Sequence, residues 1–112
     1  MASHLTHDPA ETANAEAFDA LAAAWRQGRG RSSSAARMAQ HPAYRQIVEM
    51  GAAAVPLLLR ELERHPDHWF IALHEITGED PVSAKSRGNV KAMAVAWLNW
   101  GRAKGYKWND GN

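Results

Sequence analysis

Apolar side chains along this chain recur every three or four positions, and no stretch alternates apolar and polar residues as a strand would. The first stripe is Phe18, Leu21, Ala22 and Trp25. Ahead of it, Asp8 is suited to cap a helix, Pro9 to its first position, and Glu11 to the positive end of the dipole. A helix is therefore predicted from about Pro9 to Gln27, followed by a loop through the glycines, arginines and serines of residues 28–34. Ser34 is placed to cap a short helix reaching about Gln40, which the His41-Pro42 step interrupts. Pro42 opens the next stretch, with Tyr44, Ile47 and Val48 turned inward and Gly51 at its end. Val55, Leu58, Leu59 and Leu62 mark a third helix, with Pro56 in its first turn and Arg64-His65-Pro66 at its end. Asp67 is expected in the first turn of a fourth, with Trp69, Ala72, Leu73 and Ile76 on its stripe and Gly78 as terminator. After a polar connection over residues 79–88, Val90, Met93, Ala94, Trp97, Leu98 and Gly101 define a last helix from about Asn89 to Lys104.

The predicted fold is all-α: a compact antiparallel stack of about five helices, the second broken, joined by short connections. Residues 1–33 read as an N-terminal helix with a flexible linker, and residues 34–112 as a helical core domain. With 112 residues the chain buries roughly two thirds of its unfolded surface, enough for one modest core. Hydrophobic residues make up 46% and charged residues 22%, so wholesale disorder is not expected. The chain has no Cys, which excludes disulfides, thiolate nucleophiles and Cys-ligated metal sites. The start lacks the basic and apolar regions of a secretory signal, and the apolar run from Met50 to Leu59 is too short to cross a bilayer. A cytoplasmic protein with no membrane partner is the expectation.

The segment Gly51 to Leu62, with its Val55-Pro56-Leu57-Leu58 core, followed by Pro66-Asp67-His68-Trp69 and by Ala72-Leu73 ahead of Gly78, resembles one HEAT-like helical repeat. In that family a Val-Pro-x-Leu pattern opens the first helix of a pair, and an Ala-Leu pair lies in the second, before a terminal glycine. The likeness covers residues 51–78, about a quarter of the chain, and no second Val-Pro-x-Leu unit is present. Such a hairpin cannot bury both its apolar sides alone and needs helices stacked against each. The flanking helices supply such neighbours, and a second copy completing the stack as a homodimer is the other arrangement. The resemblance implies an interaction surface and brings no catalytic residues with it.

Charge refines this picture. The formal net charge of +1 speaks against a protein that seeks polyanions as a whole. Residues 1–25 nevertheless contain four acids and no Lys or Arg, and residues 26–48 five Arg and no acid. Residues 49–80 then hold two bases and seven acids, and residues 81–112 six bases and one acid. Such bands either pair internally as helices stack or present faces of opposite sign to a partner. The C-terminal band interleaves Lys85, Arg87, Arg102 and Lys104 with Trp100, Tyr106 and Trp108. These residues, with Glu79 and Asp80 of the connection, are the candidate partner-binding set. The partner expected is another protein. The alternative is a nucleic acid, because cations neutralise phosphates while aromatic rings stack on unpaired bases. Trp100 lies off the centre of its stripe and serves either as an interface anchor or as cover for the helix beneath.

Catalytic and metal chemistry find little footing. His65 and His68 are three residues apart, while His74 and Glu75 are adjacent and cannot both face one centre from a regular helix. The chain has no His-Glu-x-x-His and no Gly-x-Ser-x-Gly. Gly28-Arg29-Gly30 continues with Ser33 where a dinucleotide loop has glycine, and no strand precedes it. Asp67-His68 and Glu79-Asp80 are the only dense polar clusters beside apolar residues, and a helix start and a turn account for them. The expectation is a protein that is not an enzyme, with no metal, no cofactor and no catalytic residues.

Overall fold

The structure is a computed structural model that describes residues 9–28 and 34–108; the Asp8 cap and the 29–33 linker lie outside the described residues. Among the described residues six α-helices follow one another: α1 (Pro9–Gly28), α2 (Ala35–Met38), α3 (Pro42–Glu49), α4 (Ala54–Arg64), α5 (Phe70–Thr77) and α6 (Val90–Lys104). Short 3-10 turns at Gly51–Ala53 and Ala84–Ser86 complete the secondary structure, and no strand occurs among the described residues. The all-α reading of the hydrophobic spacing therefore holds, including the break at His41-Pro42.

Local chemistry sets most boundaries. The Ser34 hydroxyl accepts the Arg37 amide at 3.2 Å, and the Asn89 side chain accepts the Ala92 amide at 3.0 Å, each satisfying an orphan N–H of the first turn. His41 caps α3 with its ring, Nδ1 accepting from the Ala43 amide at 3.0 Å. Helix α5 ends where Gly78 turns left-handed, at φ 74°, a conformation that costs a residue with a Cβ. One boundary corrects the sequence reading. Asp67 and Trp69 do not lie inside α5, because the Asp67 carboxylate accepts the His68 amide at 2.7 Å and the Asp67 carbonyl accepts the Trp69 amide at 2.8 Å. That tight turn delays the helix to Phe70 and leaves Trp69 buried just ahead of it.

Helix α1 lies on α3 and α4, α3 on α5, and α4 on α6, while α4 and α5 touch more lightly. This places α1, α4 and α6 in one row and α3 with α5 in a second. One hydrophobic cluster fills the space between, drawing Phe18, Ala22 and Trp25 from α1 and the rest from residues 38–108. The residues before and after position 33 thus share one core. Its centre is aromatic: the Trp25 and Trp69 rings lie 4.3 Å apart, and Tyr44 stacks on Trp69 at 5.5 Å. The polar edges of these rings are largely accommodated. The Trp25 indole donates to the Met38 carbonyl at 2.9 Å, and Tyr44 donates to the His68 carbonyl at 2.9 Å while accepting from the Ala72 amide at 3.0 Å.

Charges of opposite bands meet across this stack. Glu61 of α4 is the buried carboxylate of the core and is held by Arg26 of α1 at 2.5 Å and by Arg60 at 3.4 Å. Arg60 also reaches Asp19 at 2.5 Å, and Arg45 of α3 grips Glu75 of α5 through two hydrogen bonds of 2.9 and 2.7 Å. No helix of the described residues is long and apolar enough to cross a membrane.

Candidate partner-binding surface

The residues singled out from the sequence divide among four places. Trp100, Lys104, Tyr106 and Glu79 come together around an open pocket of about 320 Å³, floored by Ala52, Val55, Ile76 and Thr77. The local reasons are clear. Gly78 turns the chain at the end of α5 and brings Glu79 alongside, its amide bound to the Thr77 hydroxyl at 3.0 Å. The Glu79 carbonyl is bonded to the His74 ring at 3.0 Å. At the end of α6, the Tyr106 amide donates to the Gly101 carbonyl at 2.9 Å and folds the tail back onto the helix. Tyr106 then stacks on Trp100 at 5.5 Å, and Trp100 in turn meets Trp97 edge-on at 5.1 Å.

Trp100 is half-buried, so it is both packing and pocket wall. Its indole N–H is buried and has no hydrogen-bond partner among the described residues. Lys104 and Glu79 are exposed on the same pocket, and neither side chain forms an ion pair among the described residues. An aromatic pair flanked by an unpaired ammonium and an unpaired carboxylate is therefore the chemistry this pocket presents.

Arg102 and Trp108 lie elsewhere. Trp108 is buried, which removes it from the accessible set: its indole donates to Glu63 at 3.1 Å, and the Arg102 guanidinium sits 5.4 Å over its ring. Arg102 also pairs with the second oxygen of Glu63 at 3.2 Å. Both residues thereby fasten α6 and the segment after it to α4. A third group is Asp80 with Arg87, an exposed pair at 2.5 Å. The Arg87 guanidinium holds the Asp80 carboxyl below its ordinary value, helped by the Val82 amide that donates to it. Asp80 and Arg87 border a cleft of about 260 Å³ that Phe70, Ile71 and Met93 share with an adjoining apolar pocket of about 200 Å³. Lys85 stands apart in the 84–86 turn, exposed and with no ion-pair partner among the described residues.

Two features escaped the sequence reading. Val82 is buried although it lies in what reads as a polar connection, and the apolar stretch around it is a single residue, too short to show a period. His41 escaped as a cap because its ring nitrogen stands where a hydroxyl or carboxylate is usual. The two polar clusters of the sequence lie apart, His68 and Glu79 bordering different pockets. Among the described residues no three His, Asp or Glu side chains gather as a metal ion would require.

No family model, no curated protein and no solved structure matches this chain.

Proposed function

We propose that this chain is a small protein–protein interaction module, an adaptor or regulatory protein of the cytoplasm without catalytic activity, and that another protein docks on the Trp100 pocket. The observation that supports this reading is the stacked Trp100–Tyr106 pair between the unpaired charges of Lys104 and Glu79. Large rigid rings anchor interfaces at low entropic cost, and opposite charges at the rim fix the register of the incoming partner. A HEAT-like stack fits the same reading, since α3 lies on α5 and α4 on α6 as the corresponding helices of stacked pairs do. Nucleic acid is the poorer fit. Arg87 and Arg102 are already committed to Asp80 and Glu63, so fewer cations are free for phosphates.

The test compares partner capture by the parent chain and by Trp100→Ala, with helix content checked by circular dichroism. Retention of the partner is expected to fall at least about tenfold. Because Trp100 also packs on Trp97, the exposed charge reversal Lys104→Glu with Glu79→Lys serves as a second variant that leaves the core alone. Undiminished retention by both variants would sink the reading. Salt-sensitive binding of single-stranded DNA, lost on reversing Lys85 and Lys104, would put nucleic acid in its place.

A further inference from the structure

Helices α5 and α6 follow one another in the chain but touch at most lightly: α5 lies on α3, α6 lies on α4, and the connection between them lets each keep its own neighbour. Apolar side chains nevertheless line the space between them, Phe70 and Ile71 from α5 and Val90, Met93 and Trp97 from α6, with Val82 of the connection buried alongside. The space is a trough of two lobes, about 200 and about 260 Å³, which have Phe70, Ile71 and Met93 in common. The smaller lobe carries His68 as its single titratable group, and the larger is bordered by His74 and by the Asp80–Arg87 pair. At the larger lobe donors outnumber acceptors. Asp80 has engaged both oxygens, one with the Val82 amide at 3.2 Å and the other with Arg87. Arg87 gives that pair a single terminal nitrogen, and its other guanidinium N–H groups have no partner among the described residues. Charge agrees: residues 80–91 hold Lys85, Arg87 and Lys91 against Asp80 alone, and neither lysine is in an ion pair among the described residues.

We propose that this trough binds a medium-chain fatty carboxylate, its chain laid along Phe70, Ile71 and Met93 and its carboxylate on the unengaged edge of Arg87. A planar guanidinium has donors enough for two carboxylates, and Arg60 serves two in this molecule, Asp19 and Glu61. The surplus of donors selects a head group that only accepts, and the apolar walls select a body without polar atoms. Volume sets the length. An apolar cavity of roughly 150 Å³ holds benzene, so two joined lobes of this size take a chain of about eight to ten carbons. The Asp80 pair weighs against nucleic acid, which draws on many free cations, but a single carboxylate needs only one donor edge. The trough shares no lining residue with the Trp100 pocket, and the proposal does not depend on a protein docking there.

Titration of the full chain with decanoate, kept below its micellar concentration and followed by NMR of methyl-labelled methionine, tests it. The Met93 methyl is expected to shift to saturation, while that of Met50, which lines neither lobe, stays in place. From hexanoate to decanoate the affinity is expected to rise about two- to fourfold per methylene, then to level off once the trough is full. Decanol, with the same chain and no charge, is expected to bind the parent at least about tenfold more weakly. Arg87→Gln, at an exposed position, is expected to abolish that difference and leave decanol binding as it was, whereas Ile71→Trp fills the trough and blocks both, with circular dichroism verifying each fold. An unmoved Met93 methyl, affinity that climbs with chain length without a plateau, equal binding of decanoate and decanol to the parent, or undiminished decanoate binding by Arg87→Gln would overturn the proposal. Trp100→Ala is expected to keep decanoate binding while losing the protein partner, so the two readings fail separately.

Discussion

Tyr44 shows how much one side chain settles here. Its ring belongs to the aromatic centre, and burial pushes its hydroxyl well above the ordinary phenol range, which favours the neutral form that donates and accepts. It joins the turn before α5 to the first turn of that helix, by donating to His68 and accepting from Ala72. Tyr44→Phe keeps the ring and removes both bonds, leaving a buried amide and a carbonyl without a partner. A loss of about 1–3 kcal/mol in unfolding free energy is expected, read from urea denaturation, with the m-value unchanged. An unchanged midpoint would mean that water replaces the hydroxyl. The position of Tyr44 on an inward stripe was legible from spacing, but its partners lie 24 and 28 residues further on, beyond the reach of any local pattern. Trp108 illustrates the same limit: its place in the C-terminal basic and aromatic band made it a candidate for partner binding, and only its contacts with Glu63 and Arg102 on the packed helices show it buried.

At the scale of elements, the seam between α4 and α6 depends on a residue without a side chain. A Cβ at Gly101 would lie 2.6 Å from a Leu59 methyl and 3.0 Å from the Trp108 ring, closer than packed carbons tolerate. Gly101→Ala favours the helix itself by up to about 1 kcal/mol. Overpacking a filled core costs about 1–3 kcal/mol, and that term prevails because Leu59 is fully buried and has little room to move. A lowered thermal midpoint is the expected result, with a red shift of indole emission as Trp108 is displaced; a raised midpoint would show that the seam is looser than its distances indicate. Gly101 was already placed on the apolar stripe from the sequence, because the period of α6 puts it there. Helix existence and most ends were likewise legible, since caps such as Ser34 and Asn89 act within three residues. The start of α5 was not, because the Asp67 turn competes with the helix for the same amides.

For the whole molecule, the shared core predicts that α1 is needed for folding. Without Phe18 and Trp25, the Tyr44 and Trp69 rings lose their cover, and Glu61 loses Arg26. A fragment of residues 34–112 is therefore expected to give weak helical circular dichroism and no cooperative melt, whereas the full chain melts in one transition. A cooperative fragment would mean that residues 34–112 stand alone as a domain. The alternation of charge bands is resolved at this scale too. Arg26, Arg60, Arg45 and Arg102 reach carboxylates 35, 41, 30 and 39 residues away, so much of the banding is consumed inside the stack. What remains unpaired is sparse, and it is this remainder at the Trp100 pocket that supports the proposed docking of a partner.

Taken by itself, the order of residues determined the all-α class, the succession of helices and which face of each turns inward, because helical period and capping act over a single turn of chain. Only the tertiary structure decided which charges are spent on one another, which of the C-terminal aromatics are buried and which form a pocket. Those outcomes rest on contacts between residues far apart in the chain, where the burial of one group depends on the placement of another.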